Sequence, residues 1–173
     1  MNDDATNRLM LLLQNIAEQT DPLNMLLLAD QPAPLLERLR NTESLQEGQF
    51  EGLTTAAVAA DPRIPGDRRW SLVCVLEPAI DKPSLIRLLA GIRDLHADRV
   101  IHVNSNSDWS LADSLALGFS QRDEPANPQL NPEPQNKPAW QIFEFDLHNY
   151  KPAPDWLNAK NWANPERWGK HRW

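Results

Sequence analysis

Four polar residues of the sequence follow apolar segments, at positions where buried strands would end. They are Asp30, Asp61, Glu77 and Asn104. In an open α/β sheet, ligands bind outside the carboxyl ends of the strands, so these side chains would share one edge. Three carboxylates and an amide there could hold a ribose, an amine or a divalent cation. Because Asp and Asn also satisfy the amide groups of turns and helix caps, a purely structural role stays open for each residue.

Other reactive residue types occur without the spacing that their chemistry requires. His102 lies in the apolar segment "VIHV" and is expected to be an interior residue, since nothing spaced like a zinc site accompanies it. Cys74 is the single cysteine, and its apolar surroundings predict a small buried side chain. The sequence has no serine nucleophile motif and no phosphate-binding glycine loop, and its first glycine is Gly48. We therefore expect no metal site and assign no reaction from motifs.

Residues 155–173 combine aromatic and basic side chains. This segment contains four of the seven tryptophans, at intervals of six, six and five residues. Its candidate partner-binding residues are Trp162, Arg167, Trp168, Lys170, Arg172 and Trp173. They could bind RNA, single-stranded DNA or an acidic protein, because bases stack on tryptophan and basic groups contact phosphates. The intervals fit no single helix or strand face, and exposed tryptophans promote aggregation, so packing against the body is the favoured interpretation.

The charge of the chain is divided unevenly between its body and its end. The formal net charge is −7, with −10 in residues 1–150 and +3 in residues 151–173. An acidic body argues against a broad nucleic-acid surface, although the basic end could meet an anionic partner. The first residues are acidic where a secretory signal is basic, and no apolar segment approaches the ~18 residues of a membrane span. We expect a cytoplasmic protein that does not bind a membrane.

The first 61 residues show helices and strands in alternation. "ATNRLMLLLQNIAEQ" has the spacing of an amphipathic helix, and "LNMLLLAD" is typical of a strand buried on both faces. A short helix is expected after Pro34, followed by a loop over residues 41–52. "LTTAAVAAD" is rich enough in Thr and Val to predict a strand, although its alanines leave a helix open.

The middle of the chain predicts a βαβ unit. "RWSLVCVLEP" and "RVIHVNSN" are apolar strands, and "DKPSLIRLLAGIRDLH" between them is a helix that begins after the cap residue Asp81. Parallel strands joined by helices are covered by helices on both faces. The predicted class is therefore α/β, with a Rossmann-like, mostly parallel sheet.

The last third of the chain changes character. "WSLADSLALGF" predicts a helix that leads through Gly118 into a short strand, and "AWQIFEFDLHNY" predicts an aromatic strand. Residues 121–138 contain five prolines and are expected to form a mobile loop between these strands. A connection without a helix implies an antiparallel pair at one side of the sheet. We expect one α/β domain over residues 1–154 and a packed tail over residues 155–173.

This order of elements resembles the class I S-adenosylmethionine-dependent methyltransferase fold. "VCVLEPA" is similar to that family's fourth-strand motif, and "WSLADSLALGF" to its helix before an antiparallel hairpin. The resemblance implies that Asp30 ends the first strand, that Asp61 binds ribose hydroxyls of the cofactor, and that Glu77 faces the reacting group. It makes Asp30, Asp61 and Asn104 candidate cofactor-binding residues and Glu77 the candidate catalytic residue. The closing "NWANPERWGKHRW" resembles the ends of a small family of bacterial proteins of unknown function.

The stretch after the first strand departs from the methyltransferase pattern. That family has a glycine-rich loop there, since glycine lets the backbone approach the cofactor and turn tightly into the next helix. Here the stretch reads "LLLADQPAPLLERL", with two prolines and no glycine. The leading hypothesis is therefore a non-catalytic or degenerate methyltransferase-like protein that acts as a binding or adaptor module. The alternatives are an active methyltransferase with a divergent cofactor loop, and nucleic-acid binding through the tail.

Overall fold

The computed structural model describes most of the residues before position 150. They are residues 3–17, 19–20, 23–61, 63, 65–76, 79–104, 106–122 and 141–149. The helices are α1 (Asp3–Ala17), α2 (Ala33–Arg40), α3 (Thr55–Ala60), α4 (Lys82–Gly91) and α5 (Leu111–Ala116). The helix α4 continues as a π-helical turn over Ile92–His96, and a 3₁₀ turn covers Glu43–Leu45. The strands are β1 (Asn24–Ala29), β2 (Gln49–Thr54), β3 (Leu72–Leu76), β4 (Arg99–Asn104), β5 (Ser120–Gln121) and β6 (Gln141–Asp146).

The six strands form one sheet in the order β2-β1-β3-β4-β6-β5. The first four strands in this order are parallel, and β6 runs antiparallel to both β4 and β5. After β1 the chain first adds β2 on one side and then β3 on the other, so the order reverses at β1. The predicted α/β class, with a mostly parallel sheet and an antiparallel pair at one side, is confirmed.

Two hydrophobic layers fix the helices on opposite faces of the sheet. Alternate residues of β1 point to opposite sides, and Leu27 packs with Leu13 of α1 while Leu28 packs with Leu89 of α4. Because β1 and β3 are buried on both faces, their sequences are continuous apolar runs rather than alternating ones. This is why both strands can be recognised in the sequence.

The predicted strand in "LTTAAVAAD" is wrong over most of its length, and so is part of the predicted loop over residues 41–52. The strand β2 begins earlier, at Gln49, and ends at Thr54, where α3 begins. The Thr54 hydroxyl accepts a hydrogen bond from the Ala57 amide at 3.3 Å and caps the helix. The alanines then continue as a helix because alanine has the highest helix propensity.

Several sequence predictions fall outside the described residues. They concern Glu77, residues 123–138 of the proline-rich loop, and the tail over residues 155–173 with its partner-binding candidates. Gln121, at the start of the predicted loop, lies in β5 instead. The domain boundary at residue 154 and binding of nucleic acid or an acidic protein by the tail stay predictions. Within the described part of the chain, no helix has the length and apolar character needed to cross a membrane.

Candidate functional site

The crevice expected to bind a ligand lies at the carboxyl ends of β1, β2 and β3. Ligands of open α/β sheets bind where the strand order reverses, which in this sheet is beside β1. Asp30 follows β1 directly and is exposed, as the sequence predicts. The crevice therefore has one of the expected carboxylates at its rim.

The connection from β1 to α2 offers few amide donors to a ligand. Pro32 is the N-cap of α2, with φ −73° and ψ −26°, and a second proline, Pro34, follows in the first turn. Neither proline carries an N–H group. The amide of Leu36 is already used, since it donates to the Pro32 carbonyl oxygen at 3.0 Å. An anion or a cofactor at this helix end would meet a depleted set of donors.

The same connection packs tightly against β2. A Cβ atom added to Gly52 of β2 would lie 2.8 Å from Pro32 Cβ and 2.5 Å from Leu36 Cδ1. Real Cβ atoms essentially never come within 3.0 Å of such atoms, so a side chain at position 52 would force Pro32 or Leu36 to shift. The Pro32 ring and the Leu36 side chain thus fill the space beside the end of β2.

Asp61 does not end the second strand, and that sequence prediction is wrong. It is the C-cap of α3, a six-residue helix, and lies roughly 9 Å farther along than the end of β2. Its carboxylate pairs with Arg63 at 3.1 Å, and hydrogen bonds from the Arg63 side chain and amide lower the pKa of Asp61. The residue that does end β2 is Thr54, which caps α3. The described end of β2 therefore lacks the acidic group that the resemblance implies.

Asn104 lies at the end of β4 as predicted, but its amide group is used within its own turn. The side chain is buried, its Nδ2 donates to the Asn106 carbonyl at 3.0 Å, and its Oδ1 accepts from the Asn106 amide at 3.1 Å. Asn106 continues the turn by accepting from the Asp108 amide at 2.9 Å. This is the behaviour of a turn-forming asparagine, and it supports the structural interpretation of Asn104.

An ion pair that the sequence does not predict joins the first turns of α4 and α5, the helices that follow β3 and β4. Lys82 Nζ lies 2.7 Å from Asp113 Oδ2 and also donates to the Asp108 carbonyl at 3.2 Å. Asp113 forms a capping box with Ser110 at the start of α5. The Lys82 and Ser110 hydrogen bonds lower the pKa of Asp113 to about 2. The Ser-x-x-Asp spacing indicates the capping box in the sequence, whereas the lysine partner, 31 residues away, leaves no local signal.

Removing this lysine should change the titration of Asp113. In Lys82→Gln we expect the pKa of Asp113 to rise from about 2 toward its ordinary value of 3.8, because the largest contribution to its depression is lost. Carboxyl carbon chemical shifts recorded against pH measure this value directly. Arg87→Gln is the control, since Arg87 contacts the Ser84 hydroxyl and not Asp113. An unchanged Asp113 titration in Lys82→Gln would show that the ion pair does not form in solution.

His102 is an interior residue, as the sequence predicts. It lies edge-on to Trp109, with 5.2 Å between ring centroids, and stacks at 6.0 Å on Phe143. Neither ring nitrogen has a hydrogen-bond partner within the described structure, and burial lowers the pKa of His102 to about 4. Cys74 is also buried, and its burial raises the thiol pKa. No three potential metal ligands of the described residues lie together.

A protein-family comparison decides where this chain belongs. A family of unknown function, DUF6231, matches residues 7–173. The chain belongs to DUF6231. No curated protein matches it.

Two solved structures share the fold of this DUF6231 protein. Both are methyltransferase domains of the bacterial protein CtHen1, in the forms called CN and C. The CN form has 12% sequence identity and a TM-score of 0.56, and the match covers 82% of this chain and all of that one. The C form has 13% identity and a TM-score of 0.51, and the match covers 82% of this chain and 98% of that one. At this identity the likeness shows the fold, and it confirms the predicted methyltransferase-like architecture.

The crevice of the DUF6231 protein thus brings together only part of the predicted site. Asp30 lies at the rim where it was expected, Asn104 is held in its turn, and Asp61 lies at the end of a helix. Glu77 follows β3 outside the described residues. The contact between Pro32 and Gly52 was not predicted, although the missing glycine loop indicated an altered connection at this point.

Proposed function

We propose that this DUF6231 protein is a methyltransferase-like binding or adaptor module that does not transfer methyl groups. The observation that carries the proposal is the packing of Pro32 and Leu36 against Gly52. In a nucleotide-binding α/β crevice, glycine stands in the loop so that the ligand can approach the backbone. Here the glycine stands in β2 instead, and it lets the loop approach the strand.

The cofactor that the fold implies, S-adenosylmethionine, does not fit this connection in the usual manner. Pro32 and Pro34 lie in the stretch where the methyltransferase family has its glycines, and both lack the N–H group that would donate to a ligand oxygen. The Pro32 ring also packs on β2, so a ligand would have to displace it from Gly52. We derive no chemical step through this cofactor.

The described polar groups around the crevice support the same proposal, because most of them already have protein partners. Thr54 caps α3, Asp61 pairs with Arg63, and the Asn104 amide closes a turn. A ribose or an amine would therefore compete with existing contacts at each of these positions. Asp30 alone among the predicted and described rim residues stays exposed without a hydrogen bond.

Calorimetric titration of the full chain with S-adenosylmethionine and with its demethylated product tests the proposal. We expect no saturable heat with either compound, because the loop that would receive them is packed on β2. Pro32→Gly is the matched variant, since it restores a glycine in the loop and removes the Cβ atom nearest to Gly52. Binding that appears only in Pro32→Gly would support the packing argument.

Micromolar binding by the unchanged protein would contradict the proposal. If Asp30→Asn or Asp61→Ala then abolished that binding, the alternative of an active methyltransferase with a divergent loop would replace it. Arg63→Gln would separate a direct role of Asp61 from the loss of its ion pair, because it frees the Asp61 carboxylate without removing it.

A further inference from the structure

A second polar region lies at the opposite end of the sheet from the crevice. A cavity of ≈ 440 Å³ opens beside the first residue of β4, Arg99, and is also lined by Ser120, Arg122, Glu144 and Asp146. These side chains share a sheet face with Ile101 and Ile142, the face against which α1 packs. The volume of the cavity lies within the range of small-molecule sites, about 300 to 1,000 Å³.

Two arginines converge on one carboxylate in the wall of this cavity. Arg99 Nε donates to Glu144 Oε1, and Arg122 Nε lies 3.0 Å from Glu144 Oε2. The Glu144 side chain is only 12% exposed, so this ion triad is largely shielded from solvent. Because both guanidinium groups use Nε for Glu144, their terminal nitrogens are left to bind another acceptor.

One of these terminal nitrogens is buried without a hydrogen-bond acceptor. Arg122 Nη1 is covered and has no hydrogen-bond partner in the described part of the chain. Leaving a buried charged donor without a partner is unfavourable, and a rotation of the guanidinium group toward the cavity would let an oxygen atom of a bound molecule supply the missing acceptor. The triad is therefore incomplete in a way that favours an oxyanion.

The remaining groups indicate how much negative charge the ligand carries. The Asp146 carboxylate accepts from the His148 amide at 2.9 Å and from Asn149 Nδ2 at 2.7 Å, so its own turn satisfies it. The two arginines and two carboxylates cancel in charge, which argues against a polyanion. Ser120 and Asn149 add uncharged hydrogen-bonding groups to the lining.

We propose that this cavity binds a small polar molecule that carries a single carboxylate or phosphate group. The anionic group contacts the terminal nitrogens of Arg99 and Arg122, and the polar remainder of the molecule contacts Ser120 and Asn149. Arginine suits this role because its planar group binds carboxylate and phosphate through paired hydrogen bonds. The site lies at the amino-terminal end of β4 and does not depend on whether the crevice binds a cofactor.

Titration of the ¹⁵N-labelled full chain with three probes tests the site. The probes are inorganic phosphate, ribose 5-phosphate and gluconate, which carries one carboxylate, and they are added at constant ionic strength because free salt screens the arginines. We expect saturable shifts of the Arg99 and Arg122 Nε–H signals. The better of the two larger probes should bind more tightly than inorganic phosphate, and it identifies the anionic group as phosphate or carboxylate.

Arg122→Gln should weaken binding of that probe about tenfold or more, because a hydrogen bond to a charged group is lost. Arg122→Lys keeps the charge without the planar group and should also weaken it. Arg87→Gln, which changes an exposed arginine on α4, should leave the affinity unchanged. Shifts that grow linearly with every probe would overturn the proposal, and so would an affinity in both Arg122 variants that equals that of the unchanged protein. Neither result would affect the cofactor titration of the crevice.

Discussion

Gly52→Ala should destabilise the protein by about 1 to 2 kcal/mol, even though alanine normally stabilises a strand relative to glycine. The added methyl group would meet Pro32 Cβ at 2.8 Å and Leu36 Cδ1 at 2.5 Å. The Leu36 methyl can rotate away at little cost, whereas the proline ring is rigid, so the Pro32 contact decides the result. Urea denaturation of the two proteins measures the difference in the free energy of unfolding.

Gly91→Ala is the matched control for this prediction. Gly91 is the last residue of α4, and no atom lies within 4 Å of the position its Cβ would take. The same substitution should therefore stabilise the protein there, by up to about 1 kcal/mol, because alanine is the better helix former. Opposite signs at the two glycines would show that packing, and not the residue type, determines the effect at Gly52.

The double variant Pro32→Gly/Gly52→Ala separates contact from backbone effects. The glycine at position 32 removes the Cβ atom of Pro32 that the new methyl group at position 52 would meet. We expect a coupling free energy of about 1 kcal/mol between the two changes, since directly contacting residues are rarely additive. If Gly52→Ala is as stable as the unchanged protein, the connection that contains Pro32 can shift away from β2 at little cost in free energy. The observation that carries the proposed function is then lost.

Three of the strands that the sequence predicts correctly are buried on both faces. In β1, β3 and β4, continuous apolar runs follow directly from that burial. The edge strand β2 has no such run, because its residues alternate between exposed and partly buried positions and include Gly52. The apolar segment of α3, which contains Thr and Val, therefore gives the stronger strand signal in the sequence.

This one misplaced strand accounts for the error at the candidate site. A strand over "LTTAAVAAD" would have Asp61 at its carboxyl end. In the structure Asp61 is the C-cap of α3 instead. Asp30 was placed correctly because the preceding strand was. Contacts between distant parts of the chain, such as that of Lys82 with Asp113, carry no periodicity and cannot be predicted from one sequence. The rim of a crevice consists largely of such contacts, so it is harder to predict than the sheet.

Stability should fall by about 3 kcal/mol as the pH drops from 7 to 4 because of His102 alone. Burial depresses its pKa from 6.5 to about 4. Its stabilising contribution is therefore fully present above pH 6.5 and is lost as the pH falls toward 4, where the unfolded chain binds a proton that the folded protein excludes. The neighbours Val75, Trp109 and Phe143 are uncharged, so no described carboxylate beside the ring would compensate the imidazolium.

His102→Phe should remove this part of the pH dependence. Phenylalanine keeps an aromatic ring between Trp109 and Phe143 and has no nitrogen to protonate, so the variant should lose about 3 kcal/mol less than the unchanged protein between pH 7 and pH 4. The readout is the difference between two pH profiles from urea denaturation. A constant change in packing cancels from that difference, and so do the other titrating groups. His148→Gln, at an exposed histidine, is the matched control variant. If His102→Phe followed the unchanged protein across this range, the prediction would be wrong, because protonation of His102 would then not destabilise the folded protein.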